Sequence, residues 1–125
     1  MPTIEDFQSE LERYSSAMDN AKSGVFRDEK ISCSEARKGT EWYGKRKTEL
    51  TKLKQKLKDA MVDVRTDYAN RIMLTTAEDN TKASLVLEKD AVLNDFQQVE
   101  WQIDTLIAEG DWMLQEFAET LVDCD

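Results

Sequence analysis

Apolar residues recur along the first part of the chain at alternating steps of three and four: Ile4, Phe7, Leu11, Tyr14, Met18, Ala21 and Val25. That spacing returns one side chain to the same face at every helical turn and predicts an amphipathic helix over about residues 3 to 24. Thr3 and Asp6 stand at capping-box spacing behind Pro2, and Ser23 with Gly24 suits the helix end. A mixed-charge connection follows through Phe26 and Ile31. Ser32 and Glu35 repeat the start signal, and a second stripe runs through Tyr43, Leu50, Leu53, Leu57, Ala60 and Val64 before its spacing changes to Tyr68 and Ile72. Such a stutter unwinds a supercoil locally without ending the helix. One helix is therefore expected from about 34 to 74, weakest near Gly39 and Gly44. Thr75 with Glu78, or Thr76 with Asp79, offers the next cap, and a third helix is expected from about 78 to 122. Its stripe is Leu85, Val92, Phe96, Val99, Ile103, Leu106, Met113 and Phe117. Leu93, Ile107, Leu114 and Leu121 widen it on one side, enough to touch two neighbours.

Charge sharpens this picture. Residues 45 to 58 carry seven Lys/Arg against one Glu, and residues 75 to 125 carry thirteen Asp/Glu against two Lys. Folding the chain back at residues 76 to 79 pairs positions whose numbers sum to roughly 155, which sets the basic stretch opposite Glu100, Asp104 and Glu109, with Asp111 adjacent. Charge and periodicity thus agree on one antiparallel hairpin. A single proline and four glycines leave too little turn chemistry for a sheet. The expected fold is all-α, an elongated three-helix bundle built on a long antiparallel coiled-coil hairpin, in one domain over residues 1 to 125. The shorter first helix is expected to lie along the open end of the hairpin, beside the widened stripe of residues 93 to 121. The far end then projects as two helices, with Ile72, Met73, Leu74, Val86 and Leu87 exposed near its tip, where a partner or a second copy would cover them.

A net charge of −9 argues against non-specific binding to nucleic acid or an anionic membrane. Residues 1 to 10 are acidic, and no stretch is apolar enough to cross a bilayer, so neither a signal peptide nor a membrane span is expected. The expected compartment is the cytoplasm, or a virion assembled there. The chain has two cysteines, Cys33 and Cys124, and no histidine. Free thiols are the expectation, although the hairpin register also brings the two cysteines near each other, where oxidising surroundings would let them pair.

Three features are candidates for function. The basic stretch Lys45, Arg46, Lys47, Lys52, Lys54, Lys56 and Lys58 surrounds Leu50, Leu53 and Leu57, making a basic amphipathic helix. It has the form of a phosphate-gripping or surface-lying helix, yet no aromatic lies within it and the third helix supplies acids to neutralise it. Trp101 and Trp112 stand eleven residues apart with Thr105 and Ala108 between them, on the face opposite the main stripe. Two tryptophans flanking small residues suit a docked helix, and tryptophan is frequent among binding hot spots; alternatively, the first helix covers that face. Finally, Asp90, Asp95, Asp104, Asp111, Glu116, Glu119 and Asp123 are spread along the third helix, as an imitation of a phosphate backbone would require.

Trp42, Tyr43 and Gly44 spell W-x-G, which resembles the motif of the small WXG proteins exported by type VII secretion, where it lies in the turn between two helices. The resemblance covers three residues. A helix beginning before the motif and another after Thr76 depart from that family's two-helix pattern, so neither its export nor its dimer is carried over.

No Glu-x-x-His pair, calcium loop, glycine-rich phosphate loop or nucleophile and base pair is present, so no enzymatic activity, cofactor or metal is expected. The reading that remains is a helical protein acting by protein-protein contact or self-association, as a structural or assembly component of a larger particle. A small acidic helical chain of this kind fits a viral or phage-encoded particle better than metabolism. The second reading is an acidic inhibitor that competes with nucleic acid for a host enzyme.

Overall fold

The computed structural model describes residues 3–25, 31–75 and 79–124. They form three helices, α1 (Ile4–Val25), α2 (Cys33–Leu74) and α3 (Asp79–Val122). Each start and end falls within a residue of its expected place. Thr3 and Asp6 close a reciprocal capping box: the Thr3 N–H donates to Asp6 Oδ2 at 2.9 Å and the Asp6 N–H to Thr3 Oγ1 at 3.3 Å. Ser32 caps α2 by accepting from the Glu35 N–H at 3.1 Å. Thr75 serves as the C-cap of α2, its N–H donating to the Ile72 carbonyl. The cap expected for α3 and the connection through Phe26 lie outside the described residues. The stutter at Tyr68 leaves α2 unbroken over 42 residues, about 63 Å at ~1.5 Å per residue.

α2 and α3 form the antiparallel hairpin. Cys33–Cys124, Lys47–Asp111, Lys54–Asp104 and Tyr68–Glu88 face each other across it, pairs whose numbers sum to between 156 and 158, close to the register read from charge. Lys47 Nζ lies 2.6 Å from Asp111 Oδ1, and Lys54 Nζ 2.6 Å from Asp104 Oδ1. The hydrogen bond to Asp104, above all, holds the Lys54 ammonium above the usual lysine pKa. These pairs are partly exposed, so they set register more than they add stability. Stability comes from the continuous core of Leu50, Leu53, Leu57, Ala60 and Met61 against Phe96, Val99, Ile103, Leu106, Met113 and Phe117, all buried.

Phe7 meets Phe96 edge to face at 6.0 Å, and Met18 reaches Gly110, so α1 runs parallel to α3 and antiparallel to α2. A Cβ at Gly110 would lie 3.7 Å from Met18 Cε, an ordinary van der Waals contact, so Met18 packs beside this glycine without occupying the place of a side chain. Phe7, Leu11 and Met18 are buried; Ile4, Tyr14 and Ala21 lie against the core. The side chain of Val25 is outside the described set. A hydrogen bond to Glu49 ties Tyr14 to α2 and, with burial as the larger cause, raises its phenol pKa. α1 takes one flank of α3, beside Gln102, Leu106 and Glu109, rather than the flank of Leu93, Ile107, Leu114 and Leu121. The expectation that it lies beside the widened stripe is corrected. Phe7, Leu11 and Met18 pack on the opposite flank beside Phe96, Leu106 and Gly110, while the widened row is half-buried against the core.

The free-thiol expectation is also corrected. Cys33 and Cys124 are joined in a disulfide, with Cα atoms 6.0 Å apart, because the hairpin register places the first turn of α2 opposite the end of α3.

Gly39 and Gly44, expected as weak points of α2, have opposite roles. Gly39 is buried against the ring of Phe117, whereas a Cβ at Gly44 would meet none of the described residues within 4 Å. Gly44→Ala is therefore expected to stabilise the protein by about 1 kcal/mol through helix propensity alone, measurable as a rise in the urea midpoint at unchanged slope.

Candidate functional site

The core stripe of α3 points at α2, which leaves the opposite face to water. Trp101 and Trp112 stand on it, 54% and 46% exposed, about 16 Å apart along the axis. Thr105 and Ala108 between them are exposed, and the Thr105 hydroxyl turns back to donate to the Trp101 carbonyl at 3.0 Å. All four residues of the face are brought together as the spacing implied.

α1 borders this face without covering it. Two adjoining concavities lie between α1 and α3, of about 420 and 400 Å³. The first is walled by Gln8, Glu12, Ser15 and Ser16 of α1 and by Gln102, Thr105 and Glu109 of α3, over Leu11 and Leu106. The second continues past Thr105 and Glu109 to Ala108 and Trp112, with Met18 and Lys22 across from them and Tyr43 and Met113 beneath. Shared lining at Thr105 and Glu109 makes these one groove. Lys22 Nζ stands 5.8 Å from the centroid of the Trp112 ring, a cation–π contact.

Tyr43 is buried, and its hydroxyl has no hydrogen-bond partner among the described residues. Burial, then the negative charges of Glu109 and Asp19, push the phenol pKa up, so it keeps its proton and a hydrogen bond to give. Neither Tyr43 nor the α1 wall was legible as part of a site. The paired serines Ser15 and Ser16, small groups beside the apolar seam of α1, are the sequence feature that corresponds to the α1 wall.

The basic stretch divides. Lys47 and Lys54 pair with α3, while Lys45 pairs with Glu41 and Arg46 with Glu49 on α2 itself. The Arg46 guanidinium also stacks over Trp42 at 5.0 Å. Lys52, Lys56 and Lys58 are exposed, with Lys56 beside Asp6 and Glu10 of α1. The acidic row on α3 is interrupted, since Asp104 and Asp111 are engaged by lysines. Trp42, Tyr43 and Gly44 lie inside α2 and make no turn, which removes the structural basis of the W-x-G resemblance.

At the far end of the hairpin Met73, Leu74, Val86 and Leu87 are exposed. Ile72 differs from expectation: it is half-buried, because it continues the seam of Tyr68. Among the described residues no group of three or more Asp, Glu or Cys is placed to hold a metal, and no helix is long and apolar enough to cross a membrane. Comparison with known protein families, with characterised proteins and with solved structures finds no match to this chain.

Proposed function

We propose that this protein works without catalysis, by protein-protein contact, as a structural or assembly component of a larger particle. The observation that carries the reading is the pair of half-exposed tryptophans on one face of a long helix. Burying such large amphipathic rings against a partner releases much apolar surface at little entropic cost, which is why tryptophan dominates docking surfaces. The apolar hairpin end is a second candidate contact. The Cys33–Cys124 bond supports a place of work outside a reducing cytosol, such as the surface of a particle.

The test is affinity capture of the tagged protein from its native cell, at low and high salt, with identification of what is retained. Structural components of a particle are expected to stay bound at high salt. Trp101→Ala with Trp112→Ala is expected to lower their retention at least about tenfold, the equivalent of ~1.4 kcal/mol. An acidic inhibitor would instead lose its partner steeply with salt and on charge reversal at Asp104, Asp111 and Glu116, and that result overturns the assembly reading. The internal pairing of Asp104 and Asp111 weighs against the inhibitor.

A further inference from the structure

We propose that the groove between α1 and α3 seats a cationic amphipathic helix supplied by the partner. This rests on the docking reading above and names what docks.

Shape selects a helix. The lining runs from Gln8 to Lys22 on α1 and from Gln102 to Trp112 on α3, about 21 Å and about 15 Å respectively, or roughly three to four turns. Both walls are helices running in the same direction, and a helix laid between two others is the ordinary way such a trough is filled. Ser15, Ser16, Thr105 and Ala108 are small, so a guest backbone can approach closely. Below them Leu11, Leu106, Met18 and Met113 offer apolar floor to its apolar face.

Charge selects the sign of the polar face. Glu12 and Glu109 line the groove, and Asp19 lies close enough to act on the Tyr43 phenol. Among the described residues lining the groove, Lys22 is the only cation, and it already sits over the Trp112 ring. The chain thereby carries its own stand-in for a guest lysine or arginine. A net charge of −9 on the whole molecule draws cationic partners and repels acidic ones.

The experiment is calorimetric titration of the intact, oxidised protein with three synthetic helices of about four turns, sharing one apolar face and carrying Lys, Gln or Glu on the other. The Lys peptide is expected to bind with micromolar Kd, at least about tenfold tighter than the Glu peptide. Trp112→Ala, and Glu12→Lys with Glu109→Lys, are each expected to weaken it by about tenfold or more. Lys22→Gln removes the competing cation and is expected to strengthen binding severalfold, an effect that simple damage to the fold does not produce. All four positions are exposed, and circular dichroism of each variant checks folding. Failure of the Lys peptide to bind, or equal binding of the Glu peptide, overturns the proposal. Cellular partners that depend on Trp101 or the hairpin end while ignoring the groove variants also overturn it, yet leave the docking reading standing; loss of every partner overturns both.

Discussion

Reducing the Cys33–Cys124 bond is expected to lower the unfolding free energy by about 4 kcal/mol, the upper part of the usual range, because the cysteines are 91 residues apart and closing a long loop removes much entropy from the unfolded chain. For a domain of this size the melting temperature should fall by roughly 10–20 °C. Thermal and urea melts with and without reductant, set beside Cys33→Ser with Cys124→Ser, measure it. The reduced protein and the double variant should coincide. A loss below about 1 kcal/mol would mean that the unfolded chain is already compact across the hairpin or that the bond strains the folded one. Hydrogen exchange should quicken most at the two ends the bond joins, the first turns of α2 and the last of α3.

Phe117→Ala is expected to cost about 3–5 kcal/mol, since the ring is fully buried, tilted against Tyr43 at 5.7 Å between centroids and pressed on the backbone at Gly39. The same contact makes Gly39 irreplaceable. A Cβ at position 39 would overlap three carbons of the ring, and a ring without free space around it cannot yield cheaply. Overpacking of this kind costs about 1–3 kcal/mol, which outweighs the ~1 kcal/mol of helix propensity gained on leaving glycine. Gly39→Ala should therefore destabilise the protein, whereas Gly44→Ala, five residues on, stabilises it. Phe117→Leu trims the ring. In its presence the Gly39→Ala penalty should shrink or change sign, a non-additivity that urea unfolding of the four proteins in the cycle resolves. Equal penalties in both backgrounds would refute the ring contact as the cause.

Gly39 illustrates why part of the fold was hidden in the residue string. Glycine in a helical stretch reads as a weakness, because its propensity is a local property; its use here lies in the approach of Phe117, 78 positions away along the chain. Ala36 and Met61 were missed as core residues for a related reason: Ala36 is small and Met61 sits beside Ala60 rather than on the strict seam, yet both are buried. Cys33 and Cys124 were brought close by register, but the bond itself depends on three-dimensional distance.

The candidate site divides in the same way. The spacing of Trp101, Thr105, Ala108 and Trp112 within one helix was enough to put them on a shared outer face, and the opposition of basic and acidic stretches was enough to foresee Lys54 against Asp104. The groove required α1, whose choice of flank no local pattern expressed. Both flanks of α3 offer apolar residues; what decides between them is how Phe7, Leu11 and Met18 fit Phe96, Leu106 and Gly110, a matter of volume and complementarity.

By itself, then, the sequence determined the three helices, their bounds, the antiparallel hairpin and its register, because helical period and charge opposition repeat many times along the chain and each repeat reinforces the others. Only the tertiary structure decided the disulfide, the flank taken by α1, the close contact at Gly39 and the groove beneath Trp112. Each of those depends on single juxtapositions of distant residues, whose energies come from short-range packing and leave no periodic trace in the order of amino acids.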